Sequence, residues 1–291
     1  MRFGAHVSIQ PSLSKAPENA AAIGAECFQF FSQSPRGGPR VMPKKQTAEK
    51  FKKNLAKFDA GPTYVHAPYF INLASKNQRI FYGSIGAIKK DLEIASMLGS
   101  VGVVTHLGSA KDYGEINKLK NGIEAIPKEA RQRVVLGLNK ILEDYRGKAR
   151  LILEISAGAG SIIGSNLDQL AYFSRQVKRV GGVCFDTAHA FESGLDITSK
   201  DKVKKFLDKI ERTTGMNKLL LIHVNDSKSG LGSKVDRHEH LGQGELGMEC
   251  FAALVGDKRL RNKDFVLETP TIEGMKEDLK LLKALRDDIY G

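Results

Sequence analysis

Short apolar runs in this sequence repeatedly end on a histidine or a carboxylate. TYVHAP closes on His66, VGVVTHLG on His106, RLILEIS on Glu154, GVCFDTAH on Asp186, KLLLIHVND on His223 and DFVLETP on Glu268. Imidazole nitrogen and carboxylate oxygen are the donors that bind zinc and related divalent ions. Three more donors lie nearby: His189, three residues after Asp186, and Asp236 with His238, whose i, i+2 spacing puts both on one side of an extended segment. Nine donors exceed what one tetrahedral ion can use. Their convergence would therefore build a multinuclear site with a bridging carboxylate, an arrangement suited to phosphodiester hydrolysis. Glu154, central in the series, is the natural bridge. A lone histidine is more often a core residue, but Glu154, Asp186 and Glu268 sit in apolar runs and need paired charge or metal to offset desolvation. His6 ends the first run and is expected at the same mouth; neither it nor His240 is assigned a ligand role.

Such donors converge only if the chain brings its strand ends together. Strand-like runs fall near Arg2 to Val7, Glu26 to Phe31, Thr63 to Ala67, Val101 to Leu107, Arg150 to Ile155, Gly182 to Thr187, Lys218 to Asn225 and Asp264 to Glu268. Segments with helical periodicity alternate with them: Leu13 to Ile23, Ala48 to Phe58, Asn77 to Leu98, Lys128 to Tyr145, Leu167 to Val180, Lys200 to Thr213, Met248 to Val255 and Ile272 to Leu285. Eight βα units predict an α/β fold, a (β/α)8 TIM barrel occupying 1–291 as a single domain, with its chemistry at the C-terminal ends of the strands. An open doubly wound sheet is the competitor, but the glycine fingerprint such a sheet often carries after its first strand is absent. Two connections are long, Gly108 to Pro127 and Asp226 to Gly247, as functional loops often are.

Composition narrows the partners. Of 291 residues, 41% are hydrophobic and 27% charged, ordinary for a globular chain, while the net charge of +12 favours a polyanion. Charge alone is equally compatible with a generally basic surface. Three cysteines, Cys27, Cys184 and Cys250, are too few for a disulfide framework and are expected to sit apart from the strand ends. With no signal core and no bilayer-length apolar segment, the reading is a cytoplasmic protein.

Beyond these residue-level readings, FDTAHAFESGLD from Phe185, HVNDSKSGLGSKVDRHEHLGQGE from His223 and LETP from Leu267 resemble the endonuclease IV family, the type 2 apurinic/apyrimidinic endonucleases. GAHVS at Gly4, HAPYFINLAS at His66, THLGS at Thr105 and LEISAGAGS at Leu153 extend the resemblance nearly end to end. It implies a TIM barrel with three divalent ions, usually zinc, with manganese possible at one site. The implied activity is hydrolysis of the phosphodiester bond 5′ to an abasic site in double-stranded DNA, leaving a 3′ hydroxyl, through a metal-bridging hydroxide; 3′-blocked damage is a further implied substrate. By similarity, His66, His106 and Glu154 would hold one ion, Glu154, Asp186, His223 and Glu268 a second, and His189, Asp236 and His238 a third. The resemblance also makes Arg36, Tyr69 and Phe70 candidates for contact with the bent duplex, where apolar wedges can unstack base steps. A monomer is the expectation for a barrel that clamps a bent duplex. Ile155, Ala159 and Ala188 depart from the family pattern, which bears on rate and metal preference more than on reaction type.

Two other readings compete. A metal-dependent sugar isomerase on a related barrel would use fewer ligands, and the Asp236 and His238 pair argues against it. A non-catalytic protein that binds damaged DNA and keeps metals for stability would bind abasic duplex without cutting it. A Ser-His-Asp or Cys-His hydrolase is disfavoured, since no nucleophile-elbow motif occurs.

Overall fold

The computed structural model describes residues 1–38, 41–114 and 122–291. Eight parallel strands close into a barrel: β1 (Arg2–His6), β2 (Cys27–Phe31), β3 (Thr63–His66), β4 (Gly102–Thr105), β5 (Arg150–Glu154), β6 (Gly182–Asp186), β7 (Leu219–His223) and, after a small hairpin of β8 (Asp226–Ser227) and β9 (His238–Glu239), β10 (Asp264–Leu267). Around it run α1 (Ala16–Ala22), α2 (Lys45–Phe58), α3 (Gln78–Leu98), α4 (Lys128–Leu142), α5 (Leu167–Gln176), α6 (Thr187–Ser193), α7 (Lys200–Thr213), α8 (Met248–Gly256) and α9 (Ile272–Tyr290). Part of the connection expected from Gly108 to Pro127, residues 115–121, lies outside the described residues.

The strands read as continuous apolar runs because both faces are covered, by helices outside and by the barrel interior within. GVVT of β4 and GVCFD of β6 are buried at every position. Two separate apolar cores result. The larger fills the space between strands and helices, with Phe28, Phe30 and Phe51 among its members. The smaller is a single layer inside the barrel: Cys27, Tyr64, Val104, Ile152, Cys184, Leu221 and Val266, one from each strand except β1. Gly4 fills that strand's place, paired with Cys27 on one side and Val266 on the other. Any Cβ on Gly4 would overlap the Cys27 carbonyl oxygen, so β1 and β2 can approach only with glycine there.

This layer fixes the site. Strand side chains alternate with period two, so two residues further along each strand the next inward layer begins. From the apolar floor that step lands on Gln29, His66, His106, Glu154, Asp186, His223 and Glu268, and from Gly4 on His6. Each of these strand-end polar residues except His6, which stands on Gly4, thus stands on an apolar residue of the floor.

The helices follow the expected segments with shifted ends. Asn77 caps α3, accepting from the amides of Arg79 and Ile80, and Gly99 closes it in the left-handed region. Asn166 and Thr271 cap α5 and α9 in the same way. α1 is preceded by a 3-10 turn at Leu13–Lys15, α4 and α5 stop earlier than expected, and α9 continues to Tyr290 because nothing before Gly291 breaks it. α6 was not expected: Asp186 ends β6 and at once caps this helix through the His189 amide (2.8 Å), so strand passes into helix without a loop. Among the described residues no helix is long and apolar enough to cross a membrane.

Candidate metal centre at the barrel mouth

Closing the barrel brings the strand-end donors together. His66, His106 and Glu154 offer ligand atoms within 4.8 Å of one another, as do Glu154, Asp186, His223 and Glu268, and Asp186, His189 and His238. Asp236 joins the last group from the segment before β9, with Oδ2 3.3 Å from His189 Nε2 and Oδ1 3.6 Å from His238 Nε2. Glu154 links the first two groups: one oxygen is 3.0 Å from His66 Nε2 and 3.3 Å from His106 Nε2, the other 2.9 Å from His223 Nδ1.

The orientation of the imidazoles is the informative detail. His66 Nδ1 donates to the Ala67 carbonyl (2.6 Å), His189 Nδ1 to the Ile155 carbonyl (3.0 Å) and His238 Nδ1 to the Glu268 carbonyl (3.2 Å). His223 Nε2 donates to Gln29 Oε1 (2.9 Å), and His106 Nδ1 lies 3.0 Å from Ser156 Oγ. In each ring one nitrogen is thus held by an oxygen outside the cluster and the other points into it. That pattern fixes tautomer and ring plane and is characteristic of metal-bound histidine. The His189 and His238 Nε2 atoms even face each other at 3.4 Å, where two lone pairs want a proton or a cation between them.

The electrostatics agree. Glu154 and Asp186 are fully buried, and no Lys or Arg pairs with them among the described residues. Burial pushes the Glu154 carboxyl up, yet His106 and His223 outweigh it and hold it well below the usual range. Glu268 behaves likewise, with burial overcome chiefly by His223 and by the hydrogen bond from His6. Burial lowers His189 and His223, but Asp186, Asp236 and Glu154 raise the first, and Cys184, Glu268 and Glu154 the second, well above the ordinary histidine value. Asp236, whose side chain is 60% exposed, is pushed up by desolvation and brought down to about 2 by His189. Ionised Glu154 and Glu268 facing protonated His189 and His223 are what this donor set becomes without a cation. The donor chemistry fits divalent ions.

Four residues of this site escaped sequence reasoning. Gln29 of β2 is fully buried; its amide donates to Glu268 Oε1 (2.6 Å), lies 3.1 Å from His6 Nδ1, and its carbonyl accepts from His223. Asn225, just past β7, donates to Asp186 Oδ2 (2.7 Å) and accepts from the Glu268 amide (2.7 Å), tying β6 to β10. Glu192 of α6 is buried, accepts from Ser227 Oγ (2.8 Å) and from the Arg237 amide (3.0 Å) between Asp236 and His238, and among the described residues leaves Oε2 without a partner. Burial pushes its carboxyl up to about 7. The fourth is Cys184, expected apart from the strand ends. Two residues below Asp186 on the same face of β6, its thiol comes within ligand range of Glu154 and His223. Burial drives that thiol up to about 12, so it stays protonated and is a poor ligand. All three cysteines are free and buried.

The cluster opens into a cavity of about 510 Å³ whose walls include His66, His106, His189, Asp236, His238 and Glu268. His6 lies at its edge, 3.2 Å from Glu268. Tyr69 (71% exposed) and Phe70 (42% exposed) stand on the rim after β3, with the Tyr69 ring edge-on to Phe31 at 5.1 Å. Arg36 is exposed on the β2–α2 connection, near enough for its charge to act on the Tyr69 hydroxyl. His240 lies elsewhere, clamped to Asp278 of α9 (2.8 Å) and to Thr271, which caps that helix (3.1 Å). Of the departures, Ile155 contributes its backbone carbonyl to His189, Ala188 is buried and Ala159 is exposed. A larger cavity, about 890 Å³ between α7 and α8, lies on the outer wall of the barrel.

The family model of the xylose isomerase-like TIM barrel matches residues 17–285. A protein of Halothermothrix orenii named probable endonuclease 4 is 34% identical over 290 residues, covering 99% of this chain and 100% of that one. The crystal structure of endonuclease IV from Thermus thermophilus superposes with a TM-score of 0.85 at 31% identity, covering 99% of this chain and 100% of that one. A D-tagatose 3-epimerase-like protein gives a TM-score of 0.73 at 20% identity over 99% and 98% of the two chains, a likeness of fold alone.

Proposed function

This chain belongs to the endonuclease IV family of xylose isomerase-like barrels, and from that membership we propose that it is a metal-dependent DNA-repair endonuclease, hydrolysing the phosphodiester bond 5′ to an abasic site in double-stranded DNA to leave a 3′ hydroxyl. The observation that carries the metal requirement is the set of five imidazoles, each anchored through one nitrogen and aimed into the cluster with the other. His66, His106 and Glu154 would hold one ion, Glu154, Asp186, His223 and Glu268 a second, and His189, Asp236 and His238 a third. Divalent ions there, zinc being the one this nitrogen and oxygen set suits best, would neutralise phosphate charge and acidify water enough for it to attack near neutral pH.

The chain's own residues do the rest. Glu154 belongs to two groups and sets the distance between them. Gln29 and Asn225 hold Glu268, His223 and Asp186 in fixed orientation, so little reorganisation accompanies binding. Tyr69 and Phe70, adjacent to the cluster and exposed, would unstack the base step at the lesion and present its backbone to the cavity. Arg36 would contact a phosphate beside them.

Zinc-loaded protein incubated with a duplex bearing one abasic-site analogue should incise it 5′ to the lesion. An undamaged duplex should stay intact, and Glu154→Gln should abolish the cut. Tight binding of the damaged duplex without scission at any metal loading would refute the catalytic reading in favour of a binding protein.

A further inference from the structure

The positive charge of this protein is unevenly distributed. KQTAEKFKKNLAKF, the whole of α2, carries five lysines against one glutamate, and Lys44 precedes it. Ala48 and Phe51 pack against the barrel, while Lys44, Lys45, Lys50, Lys52, Lys53 and Lys57 are all exposed. Lys50, Lys53 and Lys57 are spaced three and four apart, so they lie along one face. Among the described residues the one ion pair within the helix is Lys45 with Glu49, at 4.0 Å. Glu18 of α1, which feels Lys50 and Lys57, is itself engaged by Lys15 at 2.7 Å.

α7 makes the contrast. It is equally rich in lysine, yet Asp201, Asp208 and Glu211 interrupt it, and Lys202 and Lys209 are paired with Asp196 and Asp168. Its face is mixed; that of α2 is nearly uniform. α2 also follows directly from the β2–α2 connection that carries Arg36 on the rim. Helices of such a barrel run antiparallel to the strands, so α2 leads from the mouth down the outer wall. Lys45 to Lys57 spans about 18 Å at the rise of an α-helix, roughly five base steps of duplex.

We propose that the lysine face of α2 is an auxiliary, sequence-independent binding surface for the duplex that flanks the lesion, continuing the contact made at the rim. The proposal rests on the reading of the protein as a DNA endonuclease. Its partner is identified by charge complementarity between a uniform row of ammonium groups and the phosphate backbone, and by continuity with the Arg36 loop. Such contacts supply affinity, salt dependence and retention on undamaged DNA without adding to the chemical step.

The test compares the triple variant K50Q/K53Q/K57Q with K200Q/K204Q/K205Q, which removes the same charge from α7. Glutamine keeps helix propensity, so both should fold. Affinity is measured against salt for a long duplex and for a short one barely exceeding the lesion, together with single-turnover cleavage at saturating enzyme. The α2 variant should lower the slope of log K against log salt by about 2 to 3 on the long duplex. It should leave the slope on the short duplex and the saturating cleavage rate unchanged, and the α7 variant should alter neither slope. Equal losses for the two variants, or equal losses on both duplexes, would overturn the proposal. Wild-type incision at the abasic site is scored in parallel, so a failed α2 prediction with incision intact refutes this surface alone, and absent incision refutes the endonuclease reading.

Discussion

Replacing Asn225 with alanine tests whether the mouth is held by its polar scaffold. The side chain is fully buried and bridges two strands, donating to Asp186 Oδ2 at 2.7 Å and accepting from the Glu268 amide at 2.7 Å. Alanine removes a charge-assisted bond, worth about 1.5–3 kcal/mol, and orphans a buried backbone donor, at a cost of about 1–3 kcal/mol. The expected loss is about 2.5–6 kcal/mol, a large part of the stability of an ordinary domain. Asn225→Asp keeps an acceptor for the Glu268 amide but sets a carboxylate against Asp186, so its loss should shrink in acid, where one of the two can be protonated. Urea denaturation of the metal-free proteins measures both. A loss under about 1 kcal/mol for the alanine variant, with unchanged m-value, would mean that the bridge carries little of the load and that water or local relaxation replaces it.

The titration of the metal-free cluster should give stability a window. Raised His189 and His223 contribute stability that is complete below about pH 6.5 and is lost as pH climbs toward their folded values, while lowered Glu154 and Glu268 contribute stability that is present above about pH 4.5 and lost in stronger acid. His6 and His106 are lowered, chiefly by burial, and trim the acid side. Thermal midpoints of metal-free protein should therefore fall from pH 6 to pH 9, and added zinc should reverse that trend because ligation needs neutral imidazole; a metal-free midpoint that rises over this range contradicts the assignment. Glu192→Ala frees the Arg237 amide and Ser227, so it should lower the number of zinc ions retained on dialysis and reduce kcat more than KM, with Glu192→Gln restoring both; unchanged zinc content in the alanine variant would show that the hairpin is held by other contacts. Gly4→Ala must drive β1 from β2 and should cost about 3 kcal/mol in denaturation; a loss below about 0.5 kcal/mol would mean the strands can separate freely.

Much of this was legible because the barrel repeats one rule. His66, His106, Glu154, Asp186, His223 and Glu268 stand out in sequence as polar ends of apolar runs, and period-two alternation returns them all to one ring. The same rule would have found Gln29: it stands two residues after Cys27, yet in CFQFF it is followed by two phenylalanines and does not end its run. Cys184 was misjudged for a related reason, since distance along the strand hid the shared face that places it beneath Asp186. Asn225 and Glu192 lie outside the strand register. Their positions depend on how α6 and the hairpin of β8 and β9 pack over the rim, a tertiary fact with no periodic trace.

The donor set is also graded in depth, and depth translates into residence time. Glu154, Asp186 and His223 are fully buried at the base of the cluster. Asp236 and His238 ride on a short antiparallel hairpin, and the Asp236 side chain is 60% exposed. That hairpin forms a two-stranded sheet of its own, so it could open while all eight barrel strands stay paired, at less cost than global unfolding. An ion held by His189, Asp236 and His238 would then exchange with solvent quickly while those on the floor persist, so that a chelator strips the protein in stages and metal scarcity yields a population of partly filled molecules.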